Sequence, residues 1–189
     1  MIRMWVIRHG ESENNQKKLW SGWQDVPLTE KGKQQAGRAG ESLLGIDFDK
    51  VYSSDLSRAR ETASLALPGM AIEEDPLLRE INVGRLAGMP SDIITLEEKA
   101  LGARLGYGAY GGESREEFAQ RINKFVQSLD LTQPCNLAVF SHSGWLRGFL
   151  SQVMKMQGLP GGLICRNCAM GVFEYDKGAW KLHSWINLP

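Results

Sequence analysis

The sequence predicts an α/β fold with a mixed sheet, and two observations carry that prediction. Apolar strand-like runs alternate with helical patterns along the chain. Two of its three histidines directly follow such runs, the position where open α/β sheets form their ligand crevice.

The strand-like runs are residues 2–7, 50–53, 137–141, 169–175 and 180–185, each rich in β-branched, aromatic or aliphatic residues and bounded by turn signals. The first three lack polar alternation in their middles, as strands covered on both faces do. The last two flank Asp176-Lys177-Gly178, a hairpin-like turn, and predict an antiparallel edge pair.

The helices follow from caps and spacing. Thr29 caps a helix to about residue 44, with Ala36, Ala39, Leu43 and Leu44 on one face. Asp55 or Ser57 opens a second, through about residue 67. Ser91 is the expected cap of a third, whose apolar stripe is Ile93, Ile94, Leu101 and Leu105. Ser114-Arg115-Glu116-Glu117 reads as a capping box before Phe118, Ile122, Phe125, Val126 and Leu129. Gly144 starts the last helix, carrying Trp145, Leu146, Phe149, Leu150, Val153 and Met154. No repeat or linker divides the chain, so one domain over residues 1–189 is expected, with a glycine-rich insertion or lid at about 84–112.

Composition narrows the function. The 189 residues are 42% hydrophobic and 23% charged, with 22 acids balancing 22 bases, which fits an ordinary globular domain. With no basic stripe or charged tail, nucleic acid and anionic membrane surfaces are not expected partners. The opening residues are too short an apolar run for a signal peptide, and no run approaches membrane-spanning length, so a cytoplasmic location is expected. Cys135, Cys165 and Cys168 are an odd count without a second CxxC, read as ordinary thiols rather than a zinc or disulfide framework.

The chemistry sits at the strand ends. The first strand delivers Arg8-His9-Gly10-Glu11, pairing a histidine that can attack phosphorus with an arginine that can neutralise phosphate oxygens. The 137–141 strand delivers His142-Ser143-Gly144, and the helix that begins there turns its amide end toward an anion. Arg58, in the first turn after Ser53-Ser54-Asp55-Leu56-Ser57, offers a second guanidinium for a phosphate dianion. A departing alcohol needs a proton; Glu80 and Glu11 are both candidates, and composition does not choose between them. His183, inside the last strand pattern, reads as structural.

Taken in order, Arg8-His9-Gly10-Glu11 with Asn15, the stretch from Gly22 to Gly32, Ser53-Ser54-Asp55-Leu56-Ser57-Arg58-Ala59, Leu78-Arg79-Glu80 and Ser141-His142-Ser143-Gly144 resemble the histidine phosphatase superfamily, which includes cofactor-dependent phosphoglycerate mutases. The resemblance implies a three-layer α/β/α sandwich with a mostly parallel central sheet. It implies a nucleophilic His9, with Arg8, Arg58 and His142 holding the phosphoryl group and Glu80 as proton donor. Asn15, Ser21, Gly22 and Ser143 would line the same pocket. No metal or other cofactor is implied, since arginines supply the positive charge.

The chain departs from the pattern at Gly84-Arg85-Leu86-Ala87-Gly88, where Leu86 and Ala87 replace an aromatic or acidic pair. It also lacks the paired arginines with which mutases grip a carboxylate, while Gly111-Gly112-Glu113-Ser114 resembles the small phosphatases. The expected activity is therefore hydrolysis of a small phosphate monoester. Phosphoglycerate mutase and a non-catalytic phosphate-binding module are the alternatives. The edge hairpin leaves a homodimer open.

Overall fold

The computed structural model describes residues 1–160 and 162–188. Its strands are β1 (Ile2–Arg8), β2 (Lys50–Ser53), β3 (Ile72–Glu74), β4 (Asn136–Ser141), β5 (Met170–Asp176) and β6 (Ala179–Ile186). They form one sheet in the order β3-β2-β4-β1-β5-β6. The first four run parallel to one another, and β5 and β6 close one edge as the expected antiparallel pair.

Alternation along β1 divides the core between two faces. Met4 and Val6 join a cluster with Phe118, Ile122, Trp145 and Phe149, contributed by the helices α5 (Arg115–Ser128) and α6 (Ser143–Val153). Trp5 and Ile7 pack on the other face with Ala39, Leu43, Ala63 and Ala66, around α2 (Glu30–Ser42) and α3 (Ser57–Ala66). A sheet with helices on both faces is the predicted α/β/α sandwich, completed by the short α1 (Glu13–Gln16) and by α4 (Leu96–Leu105). Gly40 lets α2 and α3 approach closely, because a Cβ there would strike the Ala66 carbonyl of α3.

Several boundaries differ from expectation for local reasons. Thr29 caps α2 through the Gly32 amide as predicted, but the helix ends at Ser42 and Leu44 is 80% exposed. Asp55 does not open α3; it forms a two-point ion pair with Arg79, and the helix starts at Ser57. Ser91 does not cap α4. Thr95 does, in a capping box with Glu98, so Ile93 falls before the helix and is exposed. The last helix begins one residue early, at Ser143, with His142 as its N-cap. The three-residue β3 carries a single apolar side chain, Ile72, too little for a strand signal. Within the 84–112 segment, the Gly88 amide donates to the Trp20 carbonyl and the Trp20 amide to that of Met89, which fastens the segment to the loop after α1. Among the described residues no helix is long and apolar enough to cross a membrane.

Candidate active site

The parallel register of β1 and β4 pairs Arg8 with Ser141, so the residues after these two strands, His9 and His142, emerge side by side. Their rings meet edge to face, with centroids 5.1 Å apart and planes at 61°. At this carboxyl edge lies a cavity of about 340 Å³, within the range of small-molecule sites. Of the residues expected in the site, Arg8, His9, Asn15, Ser21, Gly22 and Arg58 lie on its wall, joined by Glu80 and Ser143. His142 does not. It is fully buried against the His9 ring, and its Nε2 lies 2.9 Å from the Ser54 hydroxyl.

His9 is fixed as a tautomer. Nδ1 lies 2.6 Å from the Gly10 carbonyl, which can only accept, so Nδ1 carries the proton and Nε2 keeps its lone pair. Burial, then the charges of Arg58 and Arg8, hold the His9 pKa well below the ordinary histidine value, and the ring is neutral. The His142 pKa is likewise held well below, by burial first and then by Arg58. The Ser54 hydroxyl also accepts the Leu56 amide, and His142 Nδ1 is buried without a partner among the described residues.

Two guanidinium groups are held by carbonyls rather than carboxylates. Arg58 donates to Gln24 (2.7 Å) and Gly22 (2.9 Å), and Arg8 to Cys165 (2.5 Å). Neutral acceptors fix these side chains without cancelling their charge. Burial lowers the Arg58 pKa to about 10, so it remains a cation at neutral pH. In each, Nε is buried and has no partner among the described residues. Asn15 Oδ1 accepts from the Ser12 amide, Asn167 Nδ2 and Arg8 Nη2, which leaves its amino group as a donor at the cavity. Thr62, one turn beyond Arg58, donates to the Arg58 carbonyl (2.6 Å) and accepts the Gly10 amide (3.0 Å).

The two candidate acids part company. Glu11 is 2.9 Å from both Thr29 Oγ1 and Lys31 Nζ, away from the cavity. Glu80 is on the wall, its two oxygens accepting the Ile81 (2.9 Å) and Gly144 (3.1 Å) amides. Gly144 makes that approach possible, because a Cβ there would collide with the carboxylate.

Arg121 carried no sequence signal. Lying inside α5, it donates to the carbonyls of Leu77 (2.9 Å), Arg79 (2.7 Å) and Glu80 (3.0 Å). Its guanidinium also grips Glu113 at 2.7 and 2.8 Å, so it fixes the segment that bears Glu80. Trp23 adds a bond from Nε1 to the Glu80 carbonyl (2.7 Å). Trp20 and Tyr107 line the far wall as a T-shaped pair with centroids 5.5 Å apart. Arg147 also reaches the wall; lying four residues after Ser143, it shares that helix face, a spacing the sequence did contain. Burial pushes the Cys165 and Cys168 thiols up, Cys168 to about 12. No group of three or more His, Cys, Asp or Glu that could hold a metal occurs among the described residues.

Residues 4–188 match the family model described as histidine phosphatase superfamily (branch 1). A relative from Salmonella choleraesuis, named probable phosphoglycerate mutase GpmB, is 32% identical over 198 residues, covering 98% of this chain and 91% of the relative. Among solved structures, TTHB049 from Thermus thermophilus superposes with a TM-score of 0.79 at 29% identity, covering 99% of this chain and all of that one. Bacillus stearothermophilus YhfR gives 0.85 at 28% identity, over 97% and 96% of the two chains.

Proposed function

The chain belongs to the histidine phosphatase superfamily, and on that footing we propose that it hydrolyses a small phosphate monoester through a phosphohistidine on His9. The observation that carries this reading is the His9–Gly10 bond, which leaves a neutral Nε2 lone pair at a cavity where Arg8 and Arg58 are held as cations without carboxylate partners. Nε2 attacks phosphorus as the ester P–O bond breaks, and Arg8 and Arg58 take up the charge on the non-bridging oxygens. Asn15 Nδ2 and the Ser143 amide add neutral donors, and His142 packs edge to face on the His9 ring. Glu80, protonated, gives its proton to the departing alkoxide. As a carboxylate it then takes a proton from water, whose oxygen displaces the imidazole and releases inorganic phosphate.

Stopping turnover with alkali and digesting the protein tests this. A peptide bearing an acid-labile, base-stable phosphoryl group at His9 is expected, and the group is absent in His9→Ala. Equal hydrolysis of an aryl phosphate by wild type and His9→Ala would remove His9 from the mechanism and favour a non-catalytic phosphate-binding module.

A second reading is phosphoglycerate mutase, favoured by the name of the Salmonella relative. A mutase must shield phosphohistidine from water and regrip a bisphosphorylated intermediate. Against it stands the 84–90 segment, where Leu86 is buried and Arg85 stacks on Tyr110, 5.0 Å from its ring centre, so no arginine pair there faces the cavity. Mutase turnover without net phosphate release would decide for it.

A further inference from the structure

We propose that the ester hydrolysed here carries a second anionic group on its alcohol portion, and that Arg147 receives it; the inference rests on the hydrolase reading above. Arg147 stands on α6 one turn beyond Ser143, about 6 Å along the helix axis, and lines the same cavity as His9. Its Nη2 donates to the Leu163 carbonyl at 2.8 Å, which fixes the guanidinium plane. Its Nε is buried and unpartnered, and Arg147 forms no ion pair among the described residues.

Charge counting along the wall points the same way. Three arginines, Arg8, Arg58 and Arg147, line the wall, and its one acid, Glu80, is protonated when the ester binds in the hydrolase reading above. A phosphoryl dianion balances Arg8 and Arg58, leaving Arg147 as a partly desolvated cation with a free donor face. Such a cation is costly until an anion meets it, and a guanidinium fork suits a carboxylate or phosphate. The same wall carries the apolar side chains Leu19, Trp20, Val83, Tyr107 and Leu159, so a short carbon skeleton bearing two anions finds both cations and apolar surface in one cavity.

The test compares three esters of similar size: 4-carboxyphenyl phosphate, the uncharged 4-carbamoylphenyl phosphate and 1,4-phenylene bisphosphate. The wild type is expected to favour a charged ester over the carbamoyl one by roughly tenfold in kcat/KM, chiefly through KM, with the preference shrinking in high salt. Preference for the carboxylate or for the bisphosphate identifies which anion the site takes. In Arg147→Met the ratio collapses toward one, and Arg147→Lys restores part of it. A wild-type ratio near one, or a ratio that survives Arg147→Met in a variant whose thermal melt is unchanged, overturns the inference while phosphate release from the carbamoyl ester keeps the hydrolase reading. No release from any ester and no His9 adduct would remove both.

Discussion

Glu80 and Gly144 meet at the cavity wall as an acid and a main-chain amide 3.1 Å apart, where a Cβ on α6 would strike the carboxylate. The carboxyl group is therefore aimed by the N-terminus of a helix whose first residues, Ser143 and Gly144, line the cavity.

Gly144→Ala is accordingly expected to displace Glu80 without touching His9. Because general acid catalysis contributes about 10²–10⁴-fold, kcat for alkyl phosphates should drop at least tenfold. Esters of acidic phenols, which leave without a proton, should lose far less. Steady-state rates across a series of leaving groups give the measurement, and an equal loss for all of them would remove Glu80 from the proton-donor role.

Arg121 positions Glu80 from outside the cavity by gathering three carbonyls of the 77–80 segment. Arg121→Met should lower kcat by roughly 10–100-fold, as expected when a reacting group shifts by about 1 Å. It also strands Glu113, at a stability cost of about 3 kcal/mol. Adding Glu113→Gln should recover denaturation midpoint but not kcat, which separates positioning from folding.

The pKa of His9 and of His142 is held below the unfolded value of 6.5. Below pH 6.5 the unfolded chain binds protons that the native rings refuse, so stability is full above that pH and falls as the pH drops through it. Urea midpoints in phosphate-free buffer between pH 7 and 5 should report an uptake approaching two protons on unfolding. His142→Gln should reduce that number by one. An unchanged midpoint across this window would mean that the rings are protonated in the native state.

Much of this site was legible before the structure. Two strand-to-histidine-to-glycine junctions and an arginine in the first turn after a third strand placed His9, His142 and Arg58, since a strand end and a helix start fix where a side chain emerges. The same pattern could not say that, of the two histidines, only His9 reaches the cavity wall while His142 engages Ser54. Glu80 and Glu11 were equivalent as letters, and only the family resemblance chose between them; in the structure Lys31 and Thr29 close on Glu11 while Glu80 lies on the cavity wall. Arg121 was invisible because its contacts with the Glu80 segment are to carbonyls, which every residue possesses. The Ser91 cap failed for a simpler reason: Thr95 with Glu98 satisfies two amides reciprocally.

Thr62 decides where this molecule can give. Its hydroxyl bridges Gly10 and Arg58 inside the protein, so parting the nucleophile from its cation would strand buried hydrogen-bonding groups. That jaw is stiff, whereas the opposite one is made of side chains in van der Waals contact, Trp20 against Tyr107, which can slide or rotate without orphaning a donor. Under the proposed hydrolysis, accommodation of differently shaped alcohols therefore falls to the aromatic pair, while the spacing of Gly10 and Arg58 stays constant.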